Sequence, residues 1–247
     1  MVHIHARTVD GAPSHEVSDF RAITEAIRDE VGDAVIVNYS TGALGVPVAK
    51  RLEYLRELRP EIGALNMGSM NYAKYSSRRK DFVFAAVFEN SFETIRALLD
   101  GMVQAGIRPE HECFDSGHVA SLDPLLDMGV LEPPLSVSFV MGVTGGIRPT
   151  PRNVTFMSDQ IPGGAEGQNN WQVIGVSRDQ WKLLAASLDL GGNVRAGLED
   201  NLYLPSGEMA RSNGDLIGKA RQMAEDVGRR AASVAEAREL LGLEAAG

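Results

Sequence analysis

The chain has 247 residues, with 24 basic and 33 acidic side chains and a formal charge of −9. That length suits one large domain, and α/β barrels commonly run about 250 residues as a single unit; 44% apolar and 23% charged residues match an ordinary globular protein with material for a sizeable core. The acidic balance argues against a nucleic-acid partner, no apolar run approaches the roughly 20 residues of a membrane span, and a lone Cys113 allows no internal disulfide and fits a reducing, cytoplasmic setting.

Short apolar runs alternate with longer amphipathic stretches. Val2 to Ala6 reads as a strand, followed by a helix near Glu16 to Val31. A strand over Ala34 to Tyr39 leads to a helix over Pro47 to Leu58, and a strand over Gly63 to Met67 to a helix over Phe92 to Gly106. Then come a strand at Glu110 to Asp115 with a helix at Leu122 to Met128, and a strand at Leu135 to Met141 with a helix at Asn153 to Ile161. Trp171 to Val176 precedes a helix over Arg178 to Leu188, and Asn193 to Ala196 precedes one over Gly214 to Arg229. The strands are brief and mostly end in Gly, Ser, Asn or Asp, as buried parallel strands with polar C-terminal loops do. A final helix over Val234 to Leu241 is announced by Ser233 as N-cap with Glu236 three residues on, a capping-box spacing.

Seven strand-helix units in alternation imply a parallel sheet, one unit short of a closed eightfold barrel. The expected fold is therefore a (β/α)8 TIM-type barrel lacking its first strand-helix unit in this sequence. It forms one domain over residues 1–247, with a short C-terminal helix near residues 233–242. A seven-unit barrel and a doubly wound sheet are the alternatives. Two segments read as long loops, Ser69 to Asp81 with the basic run Arg78-Arg79-Lys80, and Pro162 to Asn170 with its glycines; loops of such length are usually functional.

His3-Ile4-His5 is the sharpest local signal. Residues two apart on a strand project to one side, so the two imidazoles share a face and form half of a site for Zn²⁺ or a similar ion. A third ligand could come from Glu199, in the run Asn193 to Asn201, because the last strand of a barrel closes beside the first; Glu199 and Asp200 could equally be loop acids paired with Arg195. Tyr39-Ser40-Thr41-Gly42 offers hydroxyl and N–H groups to a carboxylate, as does Asn66-Met67-Gly68-Ser69 after the next strand. Glu110, Glu112 and Phe114 share a strand face. An inward acid is costly unless paired, which makes Glu112 a site candidate. Cys113 reads as a packed thiol, His15 and His111 as surface or structural residues, and His118 as either structural or functional.

Four motifs, His3-Ile4-His5-Ala6-Arg7, Leu65 to Asn71, Phe114-Asp115-Ser116-Gly117-His118 and Val194 to Asn201, occur in an order that resembles the β-keto acid cleavage enzymes. The resemblance continues to the ending Ala237 to Leu243, and it departs only in the strand and helix that the family carries before the His-x-His. It implies a zinc-dependent barrel that condenses a β-keto acid with acetyl-CoA to give acetoacetate and a new CoA thioester, working as a homotetramer. By motif, His3, His5 and Glu199 would hold the metal, and Arg195 with Asp200 would abstract the proton. Ser40, Thr41 and Gly42 would anchor the substrate carboxylate, Asn66, Gly68 and Ser69 would line the same pocket, and Glu112 would sit near substrate and metal. Arg148, Arg152 and the Arg78 to Lys80 run are candidates for CoA phosphates.

Two other readings compete. Zinc amidohydrolases also use a strand-end His-x-His, but they draw further histidines from middle strands, and this chain has only five, so His111 and His118 would both have to serve. A barrel that lacks its first unit could also be an inactive binding module.

Overall fold

A computed structural model describes residues 1–164 and 168–244. Seven strands form one sheet: β1 (Val2–Ile4), β2 (Val37–Ser40), β3 (Ile62–Asn66), β6 (Arg108–Cys113), β7 (Ser136–Met141), β8 (Asn170–Gly175) and β9 (Asn193–Arg195). Their order is β1-β2-β3-β6-β7-β8-β9. All seven predicted strands are present, with ends moved by up to three residues. The spatial order follows the chain order without reversal, so there is no switch point and the doubly wound alternative falls.

The expected loop from Ser69 to Asp81 is instead most of an antiparallel hairpin, β4 (Met70–Ser76) and β5 (Asp81–Phe88), joined by a turn over residues 77–80. The run Asp-Phe-Val-Phe-Ala-Ala-Val-Phe has strand composition but no polar-apolar alternation, because neither of its faces is buried. The predicted loop Pro162 to Asn170 lies partly outside the described residues.

Two compact units emerge. The first comprises Met1–Asn66, Glu89–His111 and the segment from Ala232. Here β1, β2 and β3 run parallel, with His3 beside Asn38 and Ser40 beside Ala64. Helices α1 (Val17–Val31), α2 (Val48–Leu58) and α3 (Phe92–Ala105) belong to this unit. Phe20 of α1 stacks on Tyr54 of α2 with ring centres 4.1 Å apart, and Tyr39 of β2 packs at 4.8 Å from Phe20. The Tyr54 hydroxyl donates to the Ser40 carbonyl at 2.8 Å, so the helix core grips the C-terminal end of β2; burial pushes the Tyr54 phenol up. The last helix, α9 (Val234–Leu240), starts with the predicted reciprocal capping box of Ser233 and Glu236. Arg238 ties it to Glu61, which also takes Arg28 and the Val37 N–H.

The second unit comprises Met67–Phe88 and Glu112–Ala231. In it β7, β8 and β9 run parallel, Ser136 to Asn170 and Ile174 to Arg195. Its helices are α4 (Ser116–Ala120), α5 (Leu122–Asp127), α6 (Pro151–Ser158), α7 (Gln180–Asp189) and α8 (Asn213–Asp226). Helix α4 was not foreseen, since five residues are too few to carry a helical period. Thr150 caps α6 with Pro151 at the first position, where a missing N–H costs nothing. Among the described residues no helix is long and apolar enough to cross a membrane.

Candidate active site

In the first unit, His3 and His5 face the same way from β1 and its C-terminal extension, as their spacing requires, while Ile4 between them is buried. Their ring centres are 5.0 Å apart in an edge-to-face arrangement. His3 is half-buried and His5 exposed, so two imidazoles, the usual nitrogen donors to Zn²⁺, stand side by side at a strand end.

The turn after β2 is built by its own hydrogen bonds. Ser40 is buried, and its hydroxyl accepts the Gly42 N–H at 3.1 Å. The Thr41 hydroxyl donates to the Ala64 carbonyl at 2.6 Å, pinning the turn to β3. A Cβ on Gly42 would come within 3.2 Å of the Asn66 side-chain oxygen, so glycine lets that buried amide approach the turn.

Arg51, on α2, is a residue that sequence reasoning missed. It is only 4% exposed. One guanidinium nitrogen donates to the Thr41 carbonyl at 3.2 Å and to the Asn90 side-chain oxygen at 3.4 Å, and among the described residues Nε has no partner. Asn90 in turn donates to the Asn66 carbonyl. Among the described residues no carboxylate pairs with Arg51. Burial lowers its pKa from the ordinary arginine value, yet a guanidinium starts so high that it keeps its charge. The signal was present in the sequence: Arg51, Tyr54, Leu55 and Leu58 share one helical stripe, so Arg51 falls on an otherwise apolar face.

In the second unit, Arg195 at the end of β9 is the hub. Its Nε and one terminal nitrogen grip both oxygens of Asp200, each at 3.1 Å, a two-pronged pair. The same terminal nitrogen lies 2.9 Å from Glu199, and the other lies 3.5 Å from Glu112 of β6. Arg195, Asp200 and Glu112 are largely buried, whereas the Glu199 side chain is 46% exposed. The loop holding the acids is rigidly made: the Asp200 and Asn201 N–H groups close on the Gly197 carbonyl, Ser177 N–H donates to the Asp200 carbonyl, and Asn201 bonds buried Gln180. Arg195 thus brings together Glu112 and Asp200, expected beside it at the catalytic centre, and Glu199, expected as a metal ligand.

His118 on α4 fills the space behind the turn after β3. A Cβ on Gly68 would fall 2.5 Å from its ring. Its Nδ1 accepts the Phe114 N–H at 3.3 Å, and a backbone hydrogen bond at Ser69 engages it further. Burial, the largest influence, lowers its pKa against the upward pull of Ser69 and Asp115. The amidohydrolase reading needed this imidazole as a ligand, and its hydrogen bonds here go to backbone groups at Phe114 and Ser69. Buried His111 is structural in placement, and the buried Cys113 thiol is pushed up. A cavity of about 760 Å³ lined by Leu204, Glu208, Met209, Arg211 and Lys219 contains none of the predicted site residues.

A sequential parallel sheet with imidazoles, hydroxyls and an acid-ringed arginine at its strand ends defines an α/β protein of the class that gathers its chemistry at the carboxyl ends of strands. The chain belongs to the beta-keto acid cleavage enzyme family, whose model matches residues 1–243. It is 33% identical over 244 residues to the 3-keto-5-aminohexanoate cleavage enzyme of Fusobacterium nucleatum, covering 99% of this chain and 84% of that protein. It is 34% identical over 263 residues to the 3,5-dioxohexanoate:acetyl-CoA acetone transferase of Paraburkholderia graminis, covering 100% and 84%. Among solved structures, the apo structure of ObcA is similar in fold, with a TM-score of 0.77 at 19% identity; the alignment spans 98% of this chain and 61% of that one.

Proposed function

We propose that this chain is a zinc-dependent β-keto acid cleavage enzyme, an acyltransferase that joins a β-keto acid to acetyl-CoA and yields acetoacetate and a new acyl-CoA. The carrying observation is the arrangement around Arg195, a two-pronged grip on Asp200 with Glu112 and Glu199 within 3.5 Å, in a member of this family. We read the fold as a (β/α)8 TIM-type barrel, and the protein as a cytoplasmic homotetramer.

The donor set His3, His5 and Glu199 fits Zn²⁺. Two imidazoles already share a face at a 5.0 Å ring separation, and Glu199 is the most exposed of the acids around Arg195. Two histidines and one glutamate are a catalytic-type set that keeps positions open. When bound, the ion would supply Lewis-acid stabilisation of the ketone oxygen as charge develops there.

The residues of the chain do the rest. The hydrogens between the two carbonyls of a β-keto acid are weakly acidic, and one must leave to form the enolate. A guanidinium with a pKa above about 12 is a poor base, so Asp200 takes the proton and Arg195 orients it, while Glu112 fixes the remaining face of the guanidinium. The enolate carbon then attacks the acetyl carbonyl, and CoA returns to the other acyl fragment as the C–C bond breaks. The substrate carboxylate rests on the Ser40-Thr41-Gly42 turn, with Asn66, Gly68 and Ser69 lining the pocket. Arg51 stands behind that turn as a positive charge without a carboxylate partner among the described residues. A buried cation of this kind costs several kcal/mol in isolation, and a bound substrate anion offsets that cost.

The test is metal analysis with an assay of acetyl-CoA consumption over a β-keto acid panel, on this chain and on one extended upstream. Zinc binding with acetyl-CoA consumed supports the reading; if neither protein consumes acetyl-CoA with any β-keto acid, it falls.

A further inference from the structure

The chain turns sharply between β8 and α7. Gly175 ends β8, and a Cβ there would fall 2.5 Å from the Gln180 Cα, so glycine lets the first residue of α7 press against the strand. The short 3₁₀ turn between them, Ser177–Asp179, opens on a serine in the left-handed region at φ 69°. A side chain disfavours that region, and such departures gather at functional sites. With this backbone the Ser177 N–H donates to the Asp200 carbonyl at 2.8 Å. The Asp200 N–H donates to the Gly197 carbonyl at 3.0 Å, so both main-chain polar groups of Asp200 are committed.

Asn201, next in the chain, is only 4% exposed. Its Nδ2 donates to the Gln180 Oε1 at 2.8 Å and to the Tyr203 carbonyl at 2.6 Å, and its Oδ1 accepts the Tyr203 N–H at 3.2 Å. The Trp181 Nε1 donates to the same Tyr203 carbonyl at 2.9 Å. An amide held in this way cannot exchange its nitrogen and oxygen, so Gln180 has to present an oxygen to it. The consequence falls on Gln180 itself. It is 0% exposed, and among the described residues its Nε2 has no hydrogen-bond partner. A buried N–H2 without an acceptor is unfavourable to folding, whereas a methionine of similar shape carries no such group. Packing alone therefore does not account for glutamine here; what its oxygen holds does.

We infer that Gln180 is a positioning residue: through Asn201 it fixes the loop that presents Asp200 to the substrate, and the Ser177 N–H holds the same loop by its main chain. Asp200 is thus set from two sides. In front, Arg195 grips its two oxygens, each at 3.1 Å; behind, the β8–α7 turn holds its carbonyl and the residue after it. A base whose backbone can swing loses its alignment with the proton, and a displacement of about 1 Å can cost about 100-fold in rate. The inference rests on the reading of Asp200 as proton acceptor and names what keeps it in place.

The test is steady-state kinetics on the full chain, with metal content and melting temperature measured on the same samples. Gln180→Met removes the acceptor and keeps the volume. It is expected to lower kcat by about 10- to 100-fold with KM for the β-keto acid within about threefold, metal content unchanged and the melting temperature within a few degrees. Gln180→Glu restores an acceptor oxygen and is expected to recover most of kcat. Asn201→Ala attacks the same bond from its other partner and is expected to share the signature of Gln180→Met. The double variant is expected to be about as slow as Asn201→Ala, because both act through one bond. Full turnover in Gln180→Met overturns the inference, as does a loss that Gln180→Glu fails to relieve or that multiplies in the double variant. A large fall in melting temperature, a rise in KM in step with the loss of kcat, or metal lost with activity would make Gln180 a structural tie of the whole loop, and overturns it too. If the unmodified chain consumes no acetyl-CoA, the enzyme reading falls and this inference with it; a fast Gln180→Met in an active chain sinks this inference alone.

Discussion

Two arginines, Arg51 and Arg195, are both withdrawn from solvent, and their surroundings are opposite. Arg195 has three carboxylates within 3.5 Å and is clamped through two of its nitrogens by Asp200. Arg51 is the more deeply buried and, among the described residues, has only a main-chain carbonyl and an amide oxygen as partners. A charge held among acids is immobilised and its field largely cancelled; a charge held by neutral dipoles projects its field outward. One arginine is suited to orienting a base, the other to receiving an anion.

The largest effect that can break this contrast lies at Arg195. Arg195→Lys loses the two-pronged grip, since a point ammonium cannot form a planar fork, and Asp200→Asn removes the proton acceptor. Each is expected to lower kcat by about 100- to 1,000-fold, read in steady-state assays of acetyl-CoA consumption; near-full turnover in Asp200→Asn would remove it from the role of base. Next comes Arg51→Gln, which keeps a donor for the Thr41 carbonyl and deletes the charge. It is expected to raise KM for the β-keto acid by roughly 10-fold or more, the scale of a hydrogen-bonded charge, with kcat changed by less than about threefold. Arg51→Lys is expected to recover part of the loss. If both variants lower the melting temperature and leave KM untouched, Arg51 is a structural tie and nothing more.

Smaller effects sharpen the setting of the turn after β3. Gly68→Ala drives a methyl to 2.5 Å from the His118 ring and is expected to cost about 1–3 kcal/mol in denaturant unfolding. His118 itself carries a pH signature. Burial holds its folded pKa below the ordinary histidine value, so the unfolded chain binds the proton more readily. Stability is therefore full above about pH 6.5 and falls as the pH drops below it, with a slope of at most about 1.4 kcal/mol per unit from this group. His118→Asn is expected to flatten the unfolding free energy between pH 6.5 and 5; an unchanged slope would place the dependence elsewhere, for example at His15, also lowered by burial.

What could be read beforehand was whatever local spacing determines. The period of two in His3-Ile4-His5, the capping box of Ser233 and Glu236, and the strand-end acids of residues 195 to 200 each fix their geometry within a few residues, and each is present. Arg51 was hidden because an arginine on an amphipathic helix is usually solvated, and only the packing of Tyr54 and Leu55 on the same stripe puts it inside. The hairpin escaped for the opposite reason. Its alternation is absent because both faces are exposed, and a strand without a buried side loses the pattern by which strands are recognised.

Zinc content of the purified chain, measured alongside that of His3→Ala and Glu199→Ala, tests the central claim most directly. The account predicts about one zinc per chain in the unmodified protein, loss of it in both variants, and acetyl-CoA consumption that disappears with it. A chain that consumes acetyl-CoA with a β-keto acid at full rate after His3→Ala, or that binds zinc equally well without Glu199, would contradict it.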